Sequence, residues 1–208
     1  CDYKRIGDRG IGSNTGGMGA YSPPLFWTAS LEQELQNTVM RPIVNALAAI
    51  GAPYTGILYG GIILTENGPQ VLEFNARFGD PETQVILPRL DADLVDVIQA
   101  VLEGSVSEIG LQWSDEAQVG VVMASKGYPD SYETGKAISI PSTALADALI
   151  FHSGTTTLNN RTVTSGGRVL TVVGHGASLE NARTVAYDAV NEIEFDGAYY
   201  RTDIALFD

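Results

Sequence analysis

Residues 71–84 read VLEFNARFGDPETQ. Side chains two apart on a strand share a face, so Leu72, Phe74, Ala76 and Phe78 are expected to point one way, into a core. Glu73, Asn75 and Arg77 fall on the opposite face, with neighbours roughly 7 Å apart along the strand. A carboxylate and an amide oxygen at that spacing can converge on one hard cation. Mg2+ takes oxygen donors and leaves positions for water or substrate phosphate. Arg77 beside them suits the phosphate oxygens that such a cation bridges. The solvated outer face of a hairpin is the plainer reading of the same pattern, and alternation alone leaves both open.

The continuation points to the same place. Gly79 allows a tight turn, and Asp80 precedes a proline, which biases it away from helical geometry. Pro81 suits a first helical position, with Glu82 in the first turn. Asp80 is therefore expected to be a helix N-cap, and the unpaired N–H groups of that helix start would face an anionic substrate.

Working outward, Asn67-Gly68 is a strong hairpin signal between YTGILYGGIIL (54–64) and the opening stretch. Upstream, Leu31, Leu35, Val39, Ile43 and Leu47 form one stripe of a helix predicted from about Thr28 to Ile50. Gly51 stops it and Pro42 kinks it. Residues 7–24 are rich in Gly, Ser, Asn and Pro and read as a loop without regular structure. Downstream, DPETQVIL (80–87) reads as a short helix interrupted by Pro88, and a second helix runs from about Ala92 to Glu103 and ends at Gly104. From Ala117 the texture changes to short strands: QVGVVMAS, KAISI, ALIFHSG, RTVTSG and RVLTVVG. A helix follows from Ser178 to about Ile193, then AYYRTDIAL. Two units are expected, with a boundary between 104 and 117.

The chain has 208 residues, 44% hydrophobic and 18% charged, enough to bury a core. No apolar run approaches the roughly 18 residues of a membrane helix, and no signal peptide is visible. Cys1 is the only cysteine, so no disulfide forms within the chain, which fits a reducing cytoplasm. The net charge of −13 argues against nucleic acid as a partner. Lys4, Arg5 and Arg9 nevertheless gather at the start, where a local cationic patch suits a small phosphorylated ligand; ordinary solvated charge is the alternative. The abrupt opening CDYKRIGD, without Met, reads as a piece of a longer polypeptide.

SNTGGMGAY (13–21) lacks the Gly-Lys-Ser/Thr ending of a P-loop, although its glycines would let backbone N–H groups approach an anion. RVLTVVGHGASLENA (168–182) places Gly174 and Gly176 between a strand and a helix, with Asp196 at the distance of a ribose-binding acid. The third glycine of the dinucleotide fingerprint is missing, and Ser178 as an N-cap explains the turn. His152 and His175 have no second His or Cys at metal spacing and read as structural.

DYKRIGD, NTGGMGAYSP, YTGILYGG and EFNARFGDPETQ, in this order, closely resemble the phosphoribosylamine–glycine ligase family, the glycinamide ribonucleotide synthetases. The resemblance continues through GVVMASKGYP, FHSGT and SGGRVLTVVGHG, almost to the end. It implies an α+β protein: the C-terminal part of an ATP-grasp fold (1–104), a linker (105–116) and a small β-rich C-terminal domain (117–208). It implies a cytoplasmic, monomeric ligase of de novo purine synthesis that joins glycine to 5-phosphoribosylamine. ATP is the co-substrate, Mg2+ or Mn2+ the metal, and glycyl phosphate the intermediate. By resemblance Glu73 and Asn75 are the metal ligands, and Arg77 and Asp80 belong to the catalytic signature. Asp2, Lys4, Arg5, Asn14, Thr15, Gly16, Gly17, Met18, Gly19 and Pro81 line the substrate site. GILYGGIIL carries no acid, so a second metal ion would draw most of its ligands from ATP and water. The family's N-terminal portion, with the adenine-binding half of the site, is expected to precede Cys1, and the present chain alone is expected to be inactive. A noncatalytic module gripping a phosphorylated ligand, and another ATP-grasp carboxylate–amine ligase, are the alternatives; the Glu73–Asn75 pair and the joint presence of NTGGMGAY and RFGDPETQ weigh against them.

Overall fold

The strand Ala117–Ser125 is buried at all nine positions, and its sequence AQVGVVMAS is close to a continuous apolar run, as a strand covered on both faces requires. In a computed structural model, which describes residues 1–207, it is the centre of a five-stranded antiparallel sheet. Arg168–Gly176 lies on one side of it, followed by Ala148–His152. Its other side is covered in two pieces, by Gly19–Ser22 and by Ala198–Tyr199.

The helix Leu179–Glu192 packs on one face of this sheet, burying Leu179, Ala182, Ala186, Ala189 and Val190. Ser178 caps it, its hydroxyl accepting from the Asn181 N–H at 3.1 Å. Gly174 lies beneath, where a Cβ would overlap the Ala182 carbonyl and the Ala186 N–H and come within 3.0 Å of Ala186 Cα. That glycine of the GHG sequence therefore serves close helix–sheet packing. Val85, from the short helix Thr83–Ile86, is buried with Ala20 and Val173, and Phe151 packs beside them. Arg89 fixes this segment, donating to the Ser22 hydroxyl at 2.8 Å and twice to the Ser114 carbonyl, at 3.2 and 2.9 Å.

Residues Cys1–Pro23, Asp80–Leu90 and Trp113–Asp208 form one compact unit, and Pro24–Gly79 with Asp91–Gln112 form another. In the second unit, helical residues run from Ala29 to Ala49 with a π-helical turn at Gln36–Met40, just before Pro42. The expected stripe is its least exposed face, with Leu35 and Val39 buried. Tyr59–Thr65 and Gly68–Asn75 form a two-stranded hairpin, and Leu94–Glu103 is capped by Asp93 and ends at Gly104 in the left-handed region.

Several expectations are corrected. Residues 7–24 contain regular structure: Ile11–Asn14 pairs with Arg5–Gly7, and Gly19–Ser22 is a buried strand. Small residues there read as loop, yet they are what fits against a central strand. KAISI is no strand. Ala137 bridges Val163 and Ser139 bridges Glu194, two different partners that cannot share one ladder. Arg161–Thr164 pairs with Thr155–Leu158 across Asn159-Asn160, both at positive φ, a tight hairpin turn that the texture concealed.

Candidate active site

Glu73 and Asn75 lie on the strand Gly68–Asn75, opposite Gly61 and Tyr59 respectively. Their shared face survives a bulge, since Gly61 pairs with Glu73 while Ile62 pairs with Val71, leaving Leu72 as the extra residue. Glu73 is exposed and Asn75 half-buried, and among the described residues neither side chain has a hydrogen-bonding or ionic partner. Gly61 keeps the space beside Glu73 open: a Cβ there would lie 3.1 Å from Glu73 Cγ. A carboxylate and an amide oxygen, two apart on one face with an empty opposite position, fit a hard divalent cation that takes its remaining ligands from water or phosphate. Among the described residues there is no group of three or more His, Cys, Asp or Glu placed to hold a metal.

The rest of the opening stretch departs from expectation. The strand ends at Asn75, so Arg77 does not continue the alternation; it is exposed and donates to the Phe78 carbonyl at 2.8 Å. Leu72 and Phe74 are 69% and 37% exposed, and Ala76 and Phe78 are exposed too, rather than in a core. The bulge breaks the register and this sheet has only two strands. Asp80 is not an N-cap. The helix begins at Thr83, its cap position is Glu82 without a side-chain cap bond, and Pro81 follows Asp80 through a cis peptide bond. Four helical residues are too short to direct a row of free N–H groups at an anion.

Asp80 instead meets Arg168. Nη2 of Arg168 donates to Asp80 Oδ2 at 2.8 Å, Nη1 approaches Oδ1 at 3.3 Å, and Gln84 Nε2 donates to Oδ1 at 3.1 Å. The same Nη1 lies 3.0 Å from the Gly16 carbonyl and 3.5 Å from that of Gly17. The glycine loop is thus held from outside. Its N–H groups are already used: Thr15 donates to the Lys4 carbonyl, Gly16 to the Tyr128 hydroxyl, Gly17 to the Thr15 hydroxyl and Met18 to the Tyr3 carbonyl. This conformation does not offer a cradle of free amides to an anion. Gly17 serves close approach, with φ at 118° and no room for a Cβ beside Pro81 Cδ.

Lys4 pairs with Asp2, and its Nζ lies 3.8 Å from the buried Glu82 carboxylate. Arg5 is exposed and donates to the Gly12 carbonyl at 2.8 Å. Asn14 is exposed at the end of its strand, while Met18, Gly19 and Pro81 are buried. The hairpin Arg5–Asn14 is anchored by the last residues: Thr202 donates to Asp8 through its N–H and hydroxyl, and Arg9 N–H donates to Asp203 at 2.6 Å. Buried Arg201 is paired with Asp203 through two bonds of 2.7 Å and lies over the Tyr3 ring. Burial pushes the Asp203 carboxyl up, but bonds from Arg201 and the Arg9 N–H outweigh it and hold it below the usual range. The sequence singles out neither Arg168 nor Tyr128, which hold the loop; its one signal is a lone Arg after Gly166-Gly167, opening an apolar strand.

This fold is shared with biotin carboxylases. The biotin carboxylase domain of Hydrogenobacter thermophilus 2-oxoglutarate carboxylase superposes with a TM-score of 0.62 at 14% identity, covering 88% of this chain and 40% of that one. The phosphoribosylamine–glycine ligase of Thermotoga maritima superposes at 0.85 with 36% identity, covering 98% of this chain and 50% of that one. Two family models match: phosphoribosylglycinamide synthetase, ATP-grasp (A) domain, over residues 1–83, and phosphoribosylglycinamide synthetase, C domain, over residues 118–206. The curated phosphoribosylamine–glycine ligase of Halalkalibacterium halodurans is 48% identical over 98% of this chain and 47% of its own length, and that of Caldanaerobacter subterraneus 45% over 98% and 49%. The chain belongs to the phosphoribosylglycinamide synthetase family and spans about half the length of the curated relatives it matches.

Proposed function

We propose that this chain is the metal- and acceptor-bearing portion of an ATP-dependent ligase joining glycine to 5-phosphoribosylamine, giving glycinamide ribonucleotide, ADP and phosphate. The reading is carried by the 48% identity, over nearly the whole chain, to a protein named for that activity. The Glu73–Asn75 pair beside Gly61 supports it. In this reading a glycine carboxylate oxygen attacks the γ-phosphorus and ADP leaves. The amine nitrogen then attacks the acyl carbon of glycyl phosphate, phosphate leaves and the nitrogen sheds a proton. Two anions meet in the first step, and a bound divalent cation, Mg2+ or Mn2+, supplies charge neutralisation there.

Glu73 and Asn75 would hold that cation through a carboxylate and an amide oxygen. Arg77, exposed, would take phosphate oxygens. Asp80 would act beside the acceptor amine, while the loop Asn14–Gly19 and Pro81 would enclose glycine and phosphoribosylamine. Lys4 and Arg5, with Asp2 orienting Lys4, would meet the sugar phosphate. The enzyme would work as a cytoplasmic monomer without nucleic acid; among the described residues no helix is long and apolar enough to cross a membrane. The 208-residue span alone is expected not to turn over, since the relatives named for the activity are about twice as long.

The test is ADP release by the full-length enzyme, measured with each substrate omitted in turn. Release requiring both glycine and phosphoribosylamine is the expected result, and release indifferent to glycine would overturn the reading.

A further inference from the structure

Arg168 opens the strand Arg168–Gly176 at an irregularity: Arg168 is paired with Ala124 but Leu170 with Met123, so Val169 is the extra residue. Such a bulge re-aims a side chain out of the regular alternation. The Arg168 backbone is itself fixed, its carbonyl accepting from the Gly154 N–H at 2.8 Å. From this anchored start the guanidinium spans two segments more than sixty residues apart in sequence. Besides the Gly16 and Gly17 carbonyls and both Asp80 carboxylate oxygens, Nη1 lies 3.2 Å from the Asp80 main-chain carbonyl. Gly16 lies against the guanidinium plane, where a Cβ would be 3.0 Å from Cζ and Nη2. From the same part of the chain, the Tyr128 hydroxyl accepts the Gly16 N–H at 3.0 Å.

We propose that Arg168, assisted by Tyr128, is a positioning residue that clamps the Gly16–Gly17 backbone to the Asp80–Pro81 turn and so fixes the acceptor wall of the site. The contacts to the carbonyls and the carboxylate are spread over two nitrogens of one planar fork; the three donors of an ammonium all sit on a single nitrogen and cannot reproduce the paired contact with both carboxylate oxygens while holding the loop. The consequence for catalysis rests on the function proposed above, in which loop and turn enclose glycine and phosphoribosylamine. The clamp itself does not depend on that reading, and the experiment separates the two.

In the full-length enzyme, Arg168→Ala and Arg168→Lys are compared with wild type by amide hydrogen exchange and by steady-state kinetics. Both are expected to speed exchange at Gly16–Met18 while Ala117–Ser125 stays protected. The Michaelis constants for glycine and phosphoribosylamine are expected to rise roughly 10–100-fold, with that for ATP within about twofold. Added guanidinium should restore Arg168→Ala and added methylammonium should not. Unchanged exchange at Gly16–Met18 overturns the clamp, and altered exchange with unchanged Michaelis constants for both substrates overturns its part in fixing the acceptor wall. Wild-type enzyme without the glycine-dependent reaction refutes the function reading, while exchange alone still decides whether the clamp exists. If Arg168→Ala does not fold, Tyr128→Phe, which removes only the hydroxyl, is expected to speed Gly16 exchange; no change there also overturns the proposal.

Discussion

Gly174 faces Ala182 so closely that a methyl group on its α-carbon would overlap the Ala182 carbonyl oxygen and the Ala186 N–H. Both obstacles are helix backbone, which cannot swing aside as a side chain can. Gly174→Ala is therefore expected to destabilise the sheet unit by upward of about 3 kcal/mol. For a chain of this size that lowers the melting temperature by about 6–12 °C in a calorimetric or circular-dichroism melt.

Glu73 is exposed and its removal exposes no core, so Glu73→Ala is expected to leave the melting temperature unchanged while abolishing metal-dependent turnover of the full-length enzyme. Gly61→Val crowds the same carboxylate from the neighbouring strand. It is expected to raise the Mn2+ concentration giving half-maximal activity roughly tenfold. Full activity of Glu73→Ala at ordinary Mg2+ would remove the metal assignment.

Gly17 combines a left-handed φ with contact against Pro81. Gly17→Ala is expected to shift the loop rather than the fold: unchanged far-ultraviolet dichroism, faster exchange at Gly16–Met18, and higher Michaelis constants for glycine and phosphoribosylamine. Normal kinetics in this variant would show that the loop does not bound the substrate site.

Asp203 carries a pH prediction. Its native pKa is depressed, with Arg201 and the Arg9 N–H outweighing burial. A group depressed in the folded state contributes stability above its unfolded value, about 3.9, and loses it as pH falls through the lower native value. The melting-temperature gap between wild type and Asp203→Asn should thus be full at pH 6 and close on acidification below about pH 4. A gap that stays constant across that range would show that the carboxylate's charge is not what anchors the Arg5–Asn14 hairpin.

Local chemistry made much of the fold legible. Asn67-Gly68 marked the hairpin, the stripe Leu31 to Leu47 marked the helical face, and Ser178 marked a helix start that the structure places at Leu179. What failed depended on distant partners. Asp80 followed by proline reads as a cap, but Arg168, 88 residues later, offers its carboxylate a charged fork and wins. Leu72 alternates correctly in sequence and still lies exposed, because one extra residue in the strand and a sheet of two strands are not visible in a side-chain pattern. The four-residue strand Gly19–Ser22 hid among glycines for the same reason, its identity set by Ala117–Ser125 rather than by its own propensities. At the candidate site, the Glu73 and Asn75 spacing was legible, whereas Arg168 and Tyr128 required the third dimension.

The pairing of Gly19–Ser22 with Ala117–Ser125 also orders events at the ribosome. The first of these strands is made about a hundred residues before the second, a wait on the order of ten seconds at typical rates of synthesis. Through that interval it has no sheet to join, and neither has the turn at Asp80 any Arg168 to meet. The Asp80–Pro81 turn can therefore take its clamped form only once Arg168 has been made, whereas the Asn67-Gly68 hairpin, complete within seventeen residues of its own start at Tyr59, waits for nothing further along the chain.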